Sequence, residues 1–263
     1  MKVIAGPCQH ETYQQSVDIA GHCKEVCDKF GIEYFFKASF DKANRTSLGS
    51  MRGVGLESTL DDFLAIKSAV GVSTLTDVHD VHQVYKIVSE FNDCVDVLQI
   101  PAFLSRQTDL IEEACSSDKI VNIKKGQFMA PWDVKGVLSK TSKAKEVWIT
   151  DRGTSFGYNT LVVDFTGIRY MLENYDAGIV MDCTHAVQRP GGNGTSSGGN
   201  RDYAPYMAYA AAAVGVENFF LEVHPDPDNA PSDGPNMIKL KDFEKVIERT
   251  VNTRLAGFAK REQ

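Results

Sequence analysis

Tyr34-Phe35-Phe36-Lys37-Ala38-Ser39-Phe40-Asp41-Lys42-Ala43-Asn44-Arg45 runs from a compact apolar segment directly into a cluster of cations. The aromatic triplet reads as a buried strand, and the residues after it as the loop that the strand opens into. Three cations, a hydroxyl and an amide at one strand end suit a ligand with more than one anionic group. Arg forks and Lys point charges both grip phosphate and carboxylate oxygens. A solvated charged loop fits the same residues, and the rest of the chain decides between the two.

Short β-branched or aromatic runs of this kind recur at Lys2–Ala5, Ser73–Thr76, Val95–Ile100, Ile120–Ile123, Val147–Thr150, Gly178–Met181 and Asn218–Leu221. Between them lie amphipathic segments of helical length. One carries Leu60, Phe63, Leu64 and Lys67, with Ser58 or Thr59 as its N-cap, and another carries Phe243, Val246, Ile247, Thr250 and Val251 on one face. Eight strand–helix alternations predict a parallel sheet closed as a (β/α)8 TIM barrel. A doubly wound open sheet is the alternative, but no Gly-x-Gly-x-x-Gly fingerprint follows the first strand. With 263 residues, 43% of them hydrophobic, the whole of 1–263 is expected to form one barrel domain.

The net charge of −7 argues against nucleic acid or an anionic membrane as the main partner. No basic leader with a long apolar run stands at the start, and no run approaches about 18 apolar residues, so a cytoplasmic protein is expected. The six cysteines lack framework spacing and read as reduced thiols. Cys23 and Cys27 share a helical face with Val17, Ala20 and Phe30, which marks them as packing residues.

A barrel collects its chemistry past the C-terminal ends of its strands. Those positions hold Cys8, Lys37, Asp77 with His79, Gln99, Lys124, Arg152, His185 and Glu222. Strand ends always meet polar loops, yet loops favour Gly, Asn, Ser and Pro over a Lys or Arg at three separate strands. The excess points to a shared anion pocket. Two long loops, Gln188 to Asn200 and Pro225 to Pro235, are expected to border it as the seventh and eighth βα loops. Strands one, seven and eight adjoin in a closed barrel, so Cys8, His185, Glu222 and Asp233 can converge. That mixed sulfur, nitrogen and oxygen set suits Zn, Fe, Mn or a similar divalent ion. Each residue also fits an ordinary structural role, and His10, His224 and Cys183 are alternative ligands nearby.

Ile4-Ala5-Gly6-Pro7-Cys8, the Lys37–Arg45 run, Thr76-Asp77-Val78-His79, Gln99-Ile100-Pro101-Ala102-Phe103 and Arg106-Gln107-Thr108-Asp109 together resemble one family. So do Asn122-Ile123-Lys124-Lys125-Gly126-Gln127-Phe128, Asp151-Arg152-Gly153, Asp182-Cys183-Thr184-His185 and Glu222-Val223-His224-Pro225-Asp226-Pro227. The family is 3-deoxy-D-manno-octulosonate-8-phosphate synthase, also called 2-dehydro-3-deoxyphosphooctonate aldolase. The resemblance implies a homotetrameric barrel that condenses phosphoenolpyruvate with arabinose 5-phosphate and releases phosphate, in lipopolysaccharide (KDO) biosynthesis. It assigns Lys124 and Arg152 to the phosphate of phosphoenolpyruvate, Lys42 with Lys37 and Ser39 to its carboxylate, and Asn44 and Arg45 to the sugar phosphate. Arg106 resembles a residue reaching the phosphate region from an adjacent subunit, and Gln99 lies among the substrate contacts. Thr46 stands where many members have Ser.

Cys8 resembles the metal-dependent branch, whose metal-independent counterpart has Asn there, and His185, Glu222 and Asp233 fall where the other ligands belong. An N-terminal β-hairpin plug known in some members is expected to be lacking, so the barrel floor must close otherwise or be left more exposed. Lys42, Asp77, His79 and Asp233 are the catalytic candidates, with the proton-transfer base open among the last three. The closest rival, 3-deoxy-D-arabino-heptulosonate-7-phosphate synthase, carries Lys-Pro-Arg-Thr where this chain has Lys42-Ala43-Asn44-Arg45. A non-catalytic sugar-phosphate-binding barrel would be expected to have lost one of the clamp residues.

Overall fold

The computed structural model describes residues 1–44, 47, 49 and 51–258 of the chain. Its barrel strands are β1 (Lys2–Gly6), β2 (Glu33–Lys37), β3 (Ser73–Asp77), β4 (Val97–Ile100), β5 (Ile120–Lys124), β6 (Glu146–Asp151), β7 (Gly178–Asp182) and β8 (Asn218–His224). Each pairs in parallel with its neighbours, and β8 pairs with both β7 and β1, which closes the ring. Closure removes the open doubly wound sheet from consideration. Eight helices follow the strands in turn: α1 (Tyr13–Lys29), α2 (Leu56–Val70), α3 (Val81–Glu90), α4 (Thr108–Cys115), α5 (Val134–Leu138), α6 (Phe165–Asn174), α7 (Ala204–Ala213) and α8 (Phe243–Phe258).

Most strand ends lie within one residue of expectation, and three boundaries differ by more. The fourth strand starts at Val97, because Asn92–Cys94 forms a 3-10 turn and the Asp96 carboxylate turns aside to accept from the Thr74 amide at 2.8 Å. The eighth extends to His224, because Ile238–Lys239 adds a short parallel partner to its end. Neither Ser58 nor Thr59 caps α2. That helix starts earlier, behind Gly55 at φ 93°, and the Thr59 hydroxyl donates to the Gly55 carbonyl at 2.8 Å.

Strand side chains alternate between two faces, and the core divides accordingly. Val3, Ala5, Tyr34, Phe36, Leu98 and Val121 face outward into the helix layer, where Cys23 and Cys27 of α1 also pack. Ile4, Phe35, Leu75, Val97, Trp148, Val180 and Phe220 form a separate apolar cluster inside the barrel, with Ile120 against it. Counting two residues onward along each strand gives Gly6, Lys37, Asp77, Gln99, Asn122, Thr150, Asp182 and Glu222. The same face therefore carries an apolar layer below and a polar layer above. At Gly6 a Cβ would lie 2.0 Å from the Lys37 carbonyl, so only glycine lets β1 and β2 approach there.

Trp148 closes the floor. Its ring packs edge-on against Phe35 at 5.0 Å between centroids, and its indole N–H donates to Glu146 Oε1 at 2.6 Å. Lys2 pairs with the same carboxylate oxygen at 2.6 Å and sits 5.0 Å from the indole centroid. Trp148→Ala is expected to cost about 3–5 kcal/mol of stability through the cavity left behind, measured by urea unfolding. A loss below about 1 kcal/mol would show that the floor is held by other contacts.

Candidate active site

The upper end of the barrel opens into a cleft of about 450 Å³. Lys37, Lys42, Asn44, Asp77, His79, Gln99, Lys124, Arg152, His185 and Asp233 all line it, joined by the loops after β7 and β8. Residues from seven different strand ends thus meet in one place, as the barrel reading required. The two loops expected to border the site do so: Gln188–Arg189 and Gly198–Gly199 pair as a short hairpin, and Arg201 links it to the eighth loop through Asp228 at 2.5 Å and the Gly234 carbonyl at 2.9 Å.

Each cation is held by a protein oxygen, Lys37 and Lys124 by carboxylates, Arg152 by an amide and Lys42 by a hydroxyl. Lys37 donates to Glu222 Oε1 at 3.0 Å and to the Cys8 carbonyl at 2.9 Å, which ties β2 across to β1 and β8. Lys124 pairs with Asp182, and its ammonium stands 3.3 Å from the centroid of Phe220 in the apolar layer below. Burial lowers the Lys124 pKa to about 8 even though Asp182 favours its charged form. Arg152 donates to Gln188 Oε1 at 2.6 Å and keeps a buried Nε–H without a protein partner. Lys42 donates to Ser39 Oγ at 2.8 Å. Burial opposes the Lys42 charge, yet Cys8, Asp77, Glu222 and Asp233 around it raise its pKa.

Beside these cations lies the mixed donor set. The ligand atoms of Cys8, Glu222 and Asp233 all fall within 4.8 Å of one another. His185 Nε2 lies 3.6 Å from Glu222 Oε2 and 3.8 Å from Asp233 Oδ2. The other ring nitrogen, Nδ1, is 2.7 Å from Asp182 Oδ2, which leaves Nε2 for the centre of the group. Glu222 Oε2 is buried with no hydrogen-bond partner among the described residues. An orphaned carboxylate oxygen facing a thiol, an imidazole and a second carboxylate fits a divalent cation. Burial, then Glu222 and Asp233, push the Cys8 thiol well above its ordinary value. Burial also opposes the charge on Asp233, but His185, Lys42 and hydrogen bonds from Cys8 and Gln188 hold its pKa at about 2. Its backbone is left-handed, at φ 50°.

Some sequence expectations fall elsewhere. Ser39 is buried and spends its hydroxyl on Asp77 and Lys42 instead of facing the cleft. Arg106 is exposed and is not part of the cleft lining of its own chain. Arg45 and Thr46 lie outside the described residues. The alternative ligands stand apart from the donor set. His10 pairs with Asp62 and Ser16, His224 with Glu11, and the Cys183 thiol turns to the Met181 carbonyl.

Several functional side chains were missed in the sequence. Asp182 holds both Lys124 and His185, and Gln188 bridges Arg152 to Asp233, the latter at 2.7 Å. Lys125 is buried, 3.3 Å from Asp151, and donates to the Met129 carbonyl at 3.1 Å, tying the loops that follow β5 and β6. The signal for Asp182 was its place two residues past an inward Val180. Gln188 had no comparable signal.

A cationic cleft on the C-terminal face of a closed barrel, next to a sulfur, nitrogen and oxygen donor set, places the chain in the class of (β/α)8 enzymes that handle anionic substrates. Residues 1–255 match the DAHP synthetase I family, and the chain belongs to that family. A protein of Rhodopseudomonas palustris (strain BisB5) named 2-dehydro-3-deoxyphosphooctonate aldolase is 51% identical over 94% of this chain and 85% of its own length. A Bradyrhizobium diazoefficiens protein of the same name is 50% identical over 95% of this chain and 88% of its own. A third, from Nitrobacter hamburgensis, is 50% identical over 95% and 86%.

Because Lys124 loses its charge as pH rises through about 8, inorganic phosphate should bind the cleft less tightly above that pH. Calorimetric titration from about pH 7.5 to 9.5 should find affinity falling about tenfold, the scale of one charge-assisted hydrogen bond. Lys124→Arg should flatten the profile. A flat profile in the unaltered protein would remove Lys124 from the anion site.

Proposed function

We infer that this protein condenses phosphoenolpyruvate with D-arabinose 5-phosphate and water, giving 3-deoxy-D-manno-octulosonate 8-phosphate and inorganic phosphate for lipopolysaccharide biosynthesis. The observation that carries the reading is the convergence of Lys37, Lys42, Lys124 and Arg152 on one cleft, in a chain about half identical to proteins named for this reaction along nearly its whole length. A substrate pair with two phosphates and a carboxylate needs such a concentration of cations, screened from water by the loops above. Asn44 lines the cleft, and its loop reads Lys42-Ala43-Asn44-Arg45 where the erythrose 4-phosphate enzymes carry Lys-Pro-Arg-Thr, which favours the longer sugar.

The roles follow from where the charges stand. Lys124 and Arg152 adjoin along one wall, and the buried Arg152 Nε–H is a donor that a phosphate oxygen would satisfy. Lys37 and Lys42 would take the carboxylate, with Gln99 between the two groups. Holding both substrates this way puts C3 of phosphoenolpyruvate against the aldehyde carbon and removes much of the entropic cost of their encounter. Carbon–carbon bond formation then leaves positive character at C2, which water captures before phosphate departs by C–O cleavage. Asp77 is a poor proton carrier: burial opposes its charge, but Lys37, Lys42, His79 and the Ser39 hydroxyl keep its carboxyl well below the ordinary range. Asp233, its pKa held at about 2, is disfavoured on the same ground, which leaves His79 at the cleft wall for proton transfer.

Cys8, His185, Glu222 and Asp233 would hold a divalent ion such as Zn, Fe or Mn. Bound there, the ion supplies Lewis acidity toward the aldehyde oxygen and acidity to a coordinated water. We further propose that residues 1–263 act as one catalytic unit in the cytoplasm and assemble as a homotetramer. Exposed Phe103, Phe128, Trp132 and Tyr158 supply apolar surface for such an assembly, and among the described residues no helix is long and apolar enough to cross a membrane. Neither nucleic acid nor a membrane is a partner in this reading.

Phosphate release from phosphoenolpyruvate, assayed with arabinose 5-phosphate and with erythrose 4-phosphate, tests the assignment. Turnover should require the five-carbon sugar, whereas equal or faster turnover with erythrose 4-phosphate would overturn it. Turnover with neither sugar would favour a binding protein. Exhaustive chelation and Cys8→Ala should each reduce the rate by about a hundredfold or more, as loss of a metal or its ligand does. Full activity after both treatments would exclude a catalytic ion. Cys8→Asn, which imitates the metal-independent branch, should retain more activity under chelation than Cys8→Ala does.

A further inference from the structure

The polar layer of the barrel contains a hydrogen-bond chain whose far members touch nothing in the cleft. Thr150 Oγ1 donates to Asn122 Oδ1 at 2.6 Å, and Asn122 Nδ2 donates to Gln99 Oε1 at 2.8 Å. Gln99 Nε2 donates to Asp77 Oδ1 at 2.6 Å, and Ser39 donates to the other oxygen, Oδ2, at 2.7 Å. Lys42, donating to Ser39 at 2.8 Å, ends the chain at the cleft. Thr150 and Asn122 are fully buried on β6 and β5 and are absent from the cleft lining, whereas Gln99 and Lys42 are part of it.

The direction of every bond is dictated from Asp77 outward. An ionised carboxylate only accepts, so Gln99 must turn its amide nitrogen toward it. The Gln99 oxygen then faces Asn122, which must answer with its own N–H. That leaves the Asn122 oxygen facing Thr150, whose hydroxyl can donate. Reversing any one amide would set oxygen against oxygen in a buried site, which costs the desolvation of both groups. With its carbonyl occupied by Asn122, Gln99 has an N–H left to offer the cleft. That suits an anionic oxygen and disfavours a donor.

We propose that Asn122, held in place by Thr150, is a positioning residue for the phosphoenolpyruvate pocket. It fixes the Gln99 amide so that Asp77 is held on both oxygens and the Ser39–Lys42 pair keeps its place. The inference rests on the reading that Lys42 and Gln99 face phosphoenolpyruvate, and it adds two side chains that never meet the ligand. Its action is through geometry, so it changes how well the pocket binds more than the chemical step that follows.

Two substitutions test it. Asn122→Asp presents only acceptors to Gln99, so the amide turns over and its oxygen confronts Asp77. Thr150→Val is isosteric and removes the donor to the Asn122 oxygen, leaving that buried oxygen without its partner and the amide less firmly held. Calorimetry with phosphoenolpyruvate alone should show binding weakened about tenfold or more in Asn122→Asp and by about threefold to tenfold in Thr150→Val, the range for one lost buried hydrogen bond. Steady-state kinetics should show the same rise in KM for phosphoenolpyruvate, with a smaller change in kcat and in the KM for the aldose. Thr150→Ser, which restores the hydroxyl, should recover most of the affinity. Variants that lose thermal stability but bind phosphoenolpyruvate like the unaltered protein would overturn the inference alone. Should Asn122→Asp fail to fold, Thr150→Val and Thr150→Ser decide the matter by the same two readouts. An unaltered protein that does not bind phosphoenolpyruvate would overturn the functional reading and this inference together.

Discussion

Opposite charges buried together inside a closed barrel are the constraint on which the rest of this structure depends. Lys37, Lys42, Lys124 and Arg152 share the upper barrel with Asp77, Asp182, Glu222 and Asp233. Charges taken out of water are tolerated only when paired and hydrogen-bonded, and removing one partner strands the other. The strands must therefore present these groups in matched positions. The pairings Lys37–Glu222 and Lys124–Asp182 span the barrel instead of running along one strand. The apolar layer beneath excludes water and sharpens each interaction.

The same pairing makes the cleft a pre-set receptor. Its cations are already oriented by protein oxygens, so in the proposed reading a phosphate or carboxylate arriving from solvent would meet donors that need little reorganisation. Two side chains join the halves of the site. Asp182 is shared between Lys124 on the anion side and His185 on the metal-donor side. Gln188 spans Arg152 and Asp233 in the same sense.

Much of this was legible in the chain itself. The eight strands were readable because each is a short β-branched or aromatic run, and Lys37, Asp77, Lys124 and Arg152 were readable because they stand at or just past strand ends. Misreadings came where a neighbour outside the local window intervened. Gly55 opens α2 because its amide is tied to the Phe40 carbonyl at 3.2 Å, a contact invisible from the helix pattern around Ser58 and Thr59. The Ser39 hydroxyl donates to the buried carboxylate of Asp77, a partner the linear sequence does not announce. Asn122 and Thr150 went unremarked because polar residues within a strand resemble ordinary alternation.

What the amino-acid order determined by itself was periodicity and chemistry: where strands fall, which face turns inward, and which residue types stand at the open end. These are local properties, set by backbone geometry and the two-residue alternation of a strand. Only the tertiary structure decided partners. Closure of β8 onto β1 brings Cys8 to Glu222 and Asp233 across more than two hundred residues of chain. The direction of the Asn122 and Gln99 amides is set by whichever donor or acceptor the neighbouring strands supply. A hydrogen bond or ion pair depends on distance and angle in space, and sequence separation carries neither.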